Sequence, residues 1–265
     1  SNAEERVSAL KLMALLKDER AVPVCIDILS DETTKYSNAE LEAAALVLGV
    51  NPKKEAVPVL ISALHRSIQN AANALVEIGN KEAELGLIGC LRKQSGRLAA
   101  TALNNLNWIP TNELDKAYFN YYQRKFDAFS DDLENALIVT ESILEFDSYP
   151  DRNLIGLISK SKDPMVIPTL IRFLYSSYDA RKNAEAELIE FGPCVIDELL
   201  KNDVGAEAAK VYQKYPDVRA EGILLKMLES GREVVIAVET LGKIKSNKAF
   251  EPIMKKLDTT DQVLK

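Results

Sequence analysis

The side chains able to do chemistry are few and scattered. His65 is the chain's one histidine. It is followed by Arg66 near the end of an apolar run, and no second ligand or base lies near it in sequence. A solvent-facing residue close to a helix terminus is the expectation for it. The cysteines Cys25, Cys90 and Cys194 lie far apart, each within an apolar helical run. An odd, dispersed set with no CxxC spacing gives neither a disulfide framework nor a metal knuckle, and reads as small buried hydrophobes. A Ser-His-Asp arrangement would have to use His65, and nothing around it supports that. Glu185, Glu187 and Glu190 read as a solvated helix face rather than an acid/base pair. Neither a GxxxxGKS/T phosphate loop nor a GxGxxG turn after a strand is present. No enzymatic activity, metal or cofactor is expected.

The elements that would position any site are helices. In Lys53–Asn80, Leu60, Ile61 and Leu64 fall on one face of a first helix, and Ala71, Leu75 and Ile78 on one face of a second. The phrase KEAVPVLISAL (54–64) recurs as ERAVPVCIDIL (19–29), KEAELGLIGCL (81–91), PMVIPTLIRFL (164–174) and KAFEPIMKKL (248–257), with looser copies at 192–200 and 218–228. The closing leucines Leu29, Leu64, Leu91, Leu174, Leu200, Leu228 and Leu257 are 35, 27, 83, 26, 28 and 29 residues apart, a period near 27 with an extended loop in the first gap and about three periods in the third. That length suits two helices of about three turns each with tight turns. Gly79, Gly49, Gly192 and Gly242 follow the last apolar residue of second helices, where glycine can end a helix in the left-handed conformation. Asn51-Pro52 and Asp163-Pro164 read as helix starts, and Ser37-x-x-Glu40 and Ser230-x-x-Glu233 as capping boxes. Residues 4–17 form half a repeat, with Val7, Leu10, Met13 or Ala14, and Leu16 inward. Ser1-Asn2-Ala3 reads as the remnant of a cleaved expression tag, and 4–265 as a single array.

On Ala56-Val57-Pro58, Leu60, Ile61, Leu64, Ala71, Ala74, Leu75, Ile78 and Gly79, the chain resembles the HEAT-like repeat family, in the short form also found in phycobilisome lyases. The resemblance covers roughly 19–107 and 150–257. It implies an all-α, right-handed α-solenoid of about seven to eight helical-hairpin repeats, with second helices lining a concave face. Gln69, Asn70, Asn73, Asn104 and Asn105 would lie on that face, with Arg97 close by. Asparagine is a poor helix former, so these residues read either as tolerated surface polars or as a strip that grips an extended peptide. HEAT-like deoxyhypusine hydroxylases bind iron through repeated His-Glu pairs, which are missing here, so that activity is excluded. The lyase likeness implies a rival reading, a bilin lyase or chaperone, favoured if Arg92, Lys93 and Arg97 cluster at a pocket.

Residues 108–150 break the pattern. They hold nine of the seventeen aromatics, among them Trp108, Tyr118, Tyr121 and Tyr122. Ten acidic and three basic side chains across 111–151 make this stretch as negative as the whole chain, which carries −7. Two longer helices are expected at about 112–128 and 131–147, capped by Thr111 and Ser130, with a third near 151–160. The aromatics read either as filling for a wider core or as an interface in an acidic surround.

A sequence pI of about 5.1 argues against a nucleic-acid binder, and no apolar run is long enough to span a bilayer. The cysteine usage suits a reducing, cytoplasmic location. The expectation is a non-enzymatic scaffold that binds a protein or extended peptide through Asn70, Asn73, Arg97, Asn104, Asn105, Trp108, Tyr118, Tyr121 and Tyr122.

Overall fold

Helix-forming patterns run from end to end, and the computed structural model follows them. It describes residues 3–33, 35–146 and 153–261, and among these only helices and their turns occur. The chain divides into two compact units, Ser1–Phe146 and Asp147–Lys265. The division falls inside the stretch where the repeat pattern fails.

The first unit contains α1 (Ala3–Leu16), α2 (Val22–Ser30), α3 (Asn38–Val50), α4 (Val57–His65), α5 (Gln69–Ile78), α6 (Lys81–Cys90) and α7 (Gly96–Asn105), then α8 (Glu113–Tyr122), α9 (Phe126–Ser130) and α10 (Leu133–Phe146). Second helices pack in series, α1 on α3, α3 on α5, α5 on α7 and α7 on α8. First helices do the same, α2 on α4 and α4 on α6, and each pair closes across the layer through α2–α3, α4–α5 and α6–α7. The core lies between the two rows, with Leu60, Leu64, Leu75, Leu87 and Leu103 fully buried. Gly79 takes the left-handed conformation at φ 57° and ends α5, as expected. Gly49 is different. It lies inside α3 and faces Ala74 of α5, where an added Cβ would stand 3.4 Å away, at ordinary contact distance. Gly242 is also inside its helix. Asn51 closes α3 by donating to the Val47 carbonyl at 3.2 Å and does not start the next helix. On α1 only Leu10 and Ala14 are buried, and Leu16 is 66% exposed, because α3 covers one stripe of the helix.

The irregular segment corrects the expected helices. Asn112, not Thr111, caps α8, accepting from the Asp115 N–H at 2.8 Å. The long helix expected to 128 stops at Tyr122 because Arg124 turns left-handed, at φ 56°. Ser130 is the last residue of α9 rather than a cap. Asp132 does the capping near the start of α10 by accepting from the Asn135 N–H at 3.2 Å.

The second unit holds α11 (Asn153–Ser159), α12 (Ile167–Phe173), α13 (Tyr178–Phe191), α14 (Val195–Lys201), α15 (Ala209–Lys214), α16 (Glu221–Ser230), α17 (Val234–Lys243) and α18 (Phe250–Asp261). Here α11, α13, α15 and α17 pack in series, α12 packs on α14, and α16 on α18. Asp163 caps its turn as expected, accepting from the Met165 N–H at 2.9 Å. The box expected at Ser230 is not formed. Its hydroxyl donates back to Met227 at 3.0 Å, and Glu233 is left-handed at φ 49°. Cys194 is exposed, unlike Cys25 and Cys90. Glu185 is not on a solvated face: it is buried and ion-paired to Lys210 at 3.2 Å.

One electrostatic device recurs in both units. The Glu42 carboxylate of α3 accepts from the Gln69 and Asn70 N–H groups at 2.7 and 2.8 Å, capping α5. Glu185 of α13 accepts from the Lys210 N–H at 3.0 Å at the start of α15. Each carboxylate also faces the positive end of the next second helix.

Glu40 completes the capping box of α3 with Ser37 and accepts from Arg6 Nε at 2.5 Å. The Arg6 guanidinium, then the Ser37 N–H, hold its carboxyl down at about 2 against the opposing effect of burial. An unfolded glutamate titrates near 4.3. The folded-state pKa is therefore the lower one, and the stabilisation is complete above the unfolded value and lost as pH falls toward 2. Acid titration of Glu40→Gln, followed by circular dichroism, is expected to show a flatter stability loss below pH of about 4 than the parent.

Candidate partner-binding site

The second-helix row of the first unit carries a groove of about 480 Å³, lined by Lys17, Leu46, Val50, Asn70, Asn73 and Glu77 among others. Helical spacing explains the grouping. Asn70, Asn73 and Glu77 are three and four residues apart on α5, and Leu46 and Val50 four apart on α3. Asn70 and Asn73 are thus brought to one place. Their amides differ in availability. Asn70 Nδ2 donates to the Glu42 carbonyl at 3.0 Å, so that hand is occupied by the α3–α5 junction. The Asn73 amide is exposed and makes no bond to any described residue.

On the neighbouring helix α7, Arg97, Asn104 and Asn105 are all exposed. None of their side chains hydrogen-bonds or ion-pairs with a described residue. One guanidinium and three amides, on two helices that pack together, are thus exposed and bonded to no described residue. Their chemistry is hydrogen bonding to peptide groups and pairing with a carboxylate.

The aromatic members of the expected site are placed otherwise. Tyr118 is 3% and Tyr121 9% exposed. Tyr121 packs on Tyr122 at 5.1 Å and on Phe129 at 5.6 Å between ring centroids. Neither Tyr118 nor Tyr121 can meet a partner, which corrects their assignment as anchors. Tyr122 is half-buried with its hydroxyl enclosed, and its ring lies so close to Gly96 that a Cβ there would stand 2.4 Å away. It too belongs to packing. Trp108 keeps partial exposure, and meets Phe119 edge-to-face at 5.4 Å and 77°. Rings concentrated between α7 and α10 fill space that shorter side chains cannot.

No family model matches the chain, and no curated protein does.

Two surfaces escape sequence reasoning. Tyr175 and Tyr178 of the second unit are 61% and 69% exposed, and the repeat pattern gives no hint of that. His65 is exposed at the end of α4, as expected, but not isolated. Its Nδ1 lies 3.1 Å from Ser95 Oγ and its Nε2 3.8 Å from Cys90 Sγ. The available signal is the period: His65 and Cys90 are 25 residues apart, nearly one repeat, and sit at the ends of the packed helices α4 and α6. Among the described residues no three His, Cys, Asp or Glu side chains converge on a common point.

The cations that a tetrapyrrole would need are dispersed in role. Arg92 is committed to the buried Asp115 at 2.8 Å, whereas the Arg97 side chain pairs with no described residue.

Proposed function

We propose that this protein is a non-enzymatic binding scaffold whose helix pairs are HEAT-like repeats of an α-solenoid. In this reading the second helices present the concave face, and a protein segment in extended conformation lies across α5 and α7. One observation carries the reading: Asn73, Arg97, Asn104 and Asn105 are exposed on adjoining helices, and their side chains bond to no described residue. Asn104 and Asn105 sit at the end of α7 although asparagine is among the weaker helix formers, a cost that bonds to a bound peptide backbone would offset. The adjoining groove at Leu46 and Val50 supplies apolar surface for one side chain of that peptide. The bilin reading loses Arg92 to Asp115 and is the weaker of the two.

The test is the double substitution Asn104→Ala with Asn105→Ala. Because both positions are exposed, the urea midpoint should correspond to a change within about 0.5 kcal/mol. Capture of partners from native lysate, compared by mass spectrometry with the parent protein, should fall at least tenfold for a specific set. Equal capture by both proteins overturns the reading.

A further inference from the structure

The second helices of the first unit share one register. Leu46 of α3, Asn73 of α5 and Thr101 of α7 are each exposed, with two buried residues before and two after. Because α3 packs on α5 and α5 on α7, these three side chains form a row across three helices. Val50 stands one turn after Leu46 on α3, and Arg97 one turn before Thr101 on α7. The row changes character along its length. Its α3 end is apolar, where Leu46 and Val50 line the groove of about 480 Å³. Its α7 end carries a hydroxyl and a guanidinium.

Each member limits what can lie against it. The Thr101 hydroxyl donates its proton to the Arg97 carbonyl at 3.0 Å, so toward a ligand it can only accept, as from a peptide N–H. The Asn73 amide, bonded to no described residue, offers both a donor and an acceptor to a peptide unit. Lys17 and Glu77 at the groove balance each other in sign, whereas Arg97 pairs with no described carboxylate. The unbalanced charge therefore lies on α7, away from the apolar end. Packed helices lie about 8–10 Å apart and one helical turn rises about 5.4 Å. Arg97 thus stands about 10 Å from the groove, the span of roughly three residues of extended chain at about 3.3 Å each.

We propose that this face selects a peptide segment carrying an apolar side chain and, three residues from it, a carboxylate. The apolar side chain enters the groove at Leu46 and Val50, and the carboxylate pairs with Arg97. Asn73 and Thr101 hold the backbone between them. The proposal rests on the reading of α5 and α7 as a peptide-binding surface and adds the chemistry of the peptide: apolar at one end, acidic at the other, with the spacing set by one helix-to-helix step.

The experiment immobilises the full chain and offers it pools of end-blocked ten-residue peptides, degenerate except at two fixed positions three residues apart. The fixed pairs are leucine with glutamate, leucine with lysine, and serine with glutamate, each in both orders. The leucine–glutamate pool should be retained about tenfold better than the leucine–lysine pool. Arg97→Glu should reverse that order with an unmoved melting curve, because the position is exposed. Leu46→Ser should erase the preference for leucine over serine and keep the preference for glutamate. Equal retention of the glutamate and lysine pools overturns the proposal. If Asn104→Ala with Asn105→Ala still abolishes that retention, the peptide-binding reading survives the loss. Retention of no pool overturns both. A dimer in sedimentation velocity that Arg97→Glu dissociates would assign the face to a second copy of the chain, and so overturns the proposal as well.

Discussion

Phe129→Ala is expected to destabilise the first unit by about 3–5 kcal/mol, the range for deleting a buried aromatic. Phe129 is 0% exposed, sits on the short helix α9, and packs its ring 5.6 Å from that of Tyr121. Only five residues long, α9 has little stability of its own, since isolated short helices are marginal in water. It is held by packing on α8, through the Tyr121 ring, and on α10. The cavity should therefore loosen all three helices. Amide hydrogen exchange should show protection falling across 113–146 and retained in α12–α17, because the two units are separately compact. A change below about 1 kcal/mol would mean that the aromatic segment is not core, and would return its rings to the surface.

Leu75→Ala is the second large effect, at about 2–5 kcal/mol. Leu75 is fully buried on α5, which packs on α3, α4, α6 and α7. Ala71, Ala72 and Ala74 of the same helix are buried as well, and with α5 packed on four neighbours the site is expected to collapse little. The urea midpoint should drop without a change of slope. Leu75→Met, similar in volume, should cost less than about 1.5 kcal/mol. Equal costs for the two variants would show that packing at this junction is loose.

The repeats were legible because their signals are local. Apolar spacing, Ser37-x-x-Glu40, Asp163-Pro164 and Gly79 each specify a turn or an end within a few residues, and each appears where its type demands. Helix ends made without glycine were not legible. Ser67, Asn107, Arg124, Lys162, Asp203 and Lys245 all adopt positive φ just after helices, a conformation side chains resist. At Arg124 that turn divided what periodicity reads as one helix. Conversely, Gly49 and Gly242 stand in helices, so glycine was a poorer marker of endings than expected. The candidate site was half legible. Asn73, Arg97, Asn104 and Asn105 are exposed as their polarity suggests, whereas Tyr118 and Tyr121 are buried because aromatic composition alone does not say which side of a helix faces a neighbour. The His65–Ser95–Cys90 cluster depends on helices stacked about one period apart, and only contact between repeats brings it together.

The carboxylates at Glu42 and Glu185 bear on how such a chain can be cut and joined. Each begins a helix that belongs to the following pair. A module excised at the loops, for example Lys53–Asn80, would arrive at a new location without the acceptor for its own second helix, and would leave an unanswered carboxylate behind. The portable segment is offset from the visible hairpin and starts no later than Glu42. Grafts or duplications that respect this offset keep the cap, and those made at loop boundaries forfeit about 1 kcal/mol at the junction.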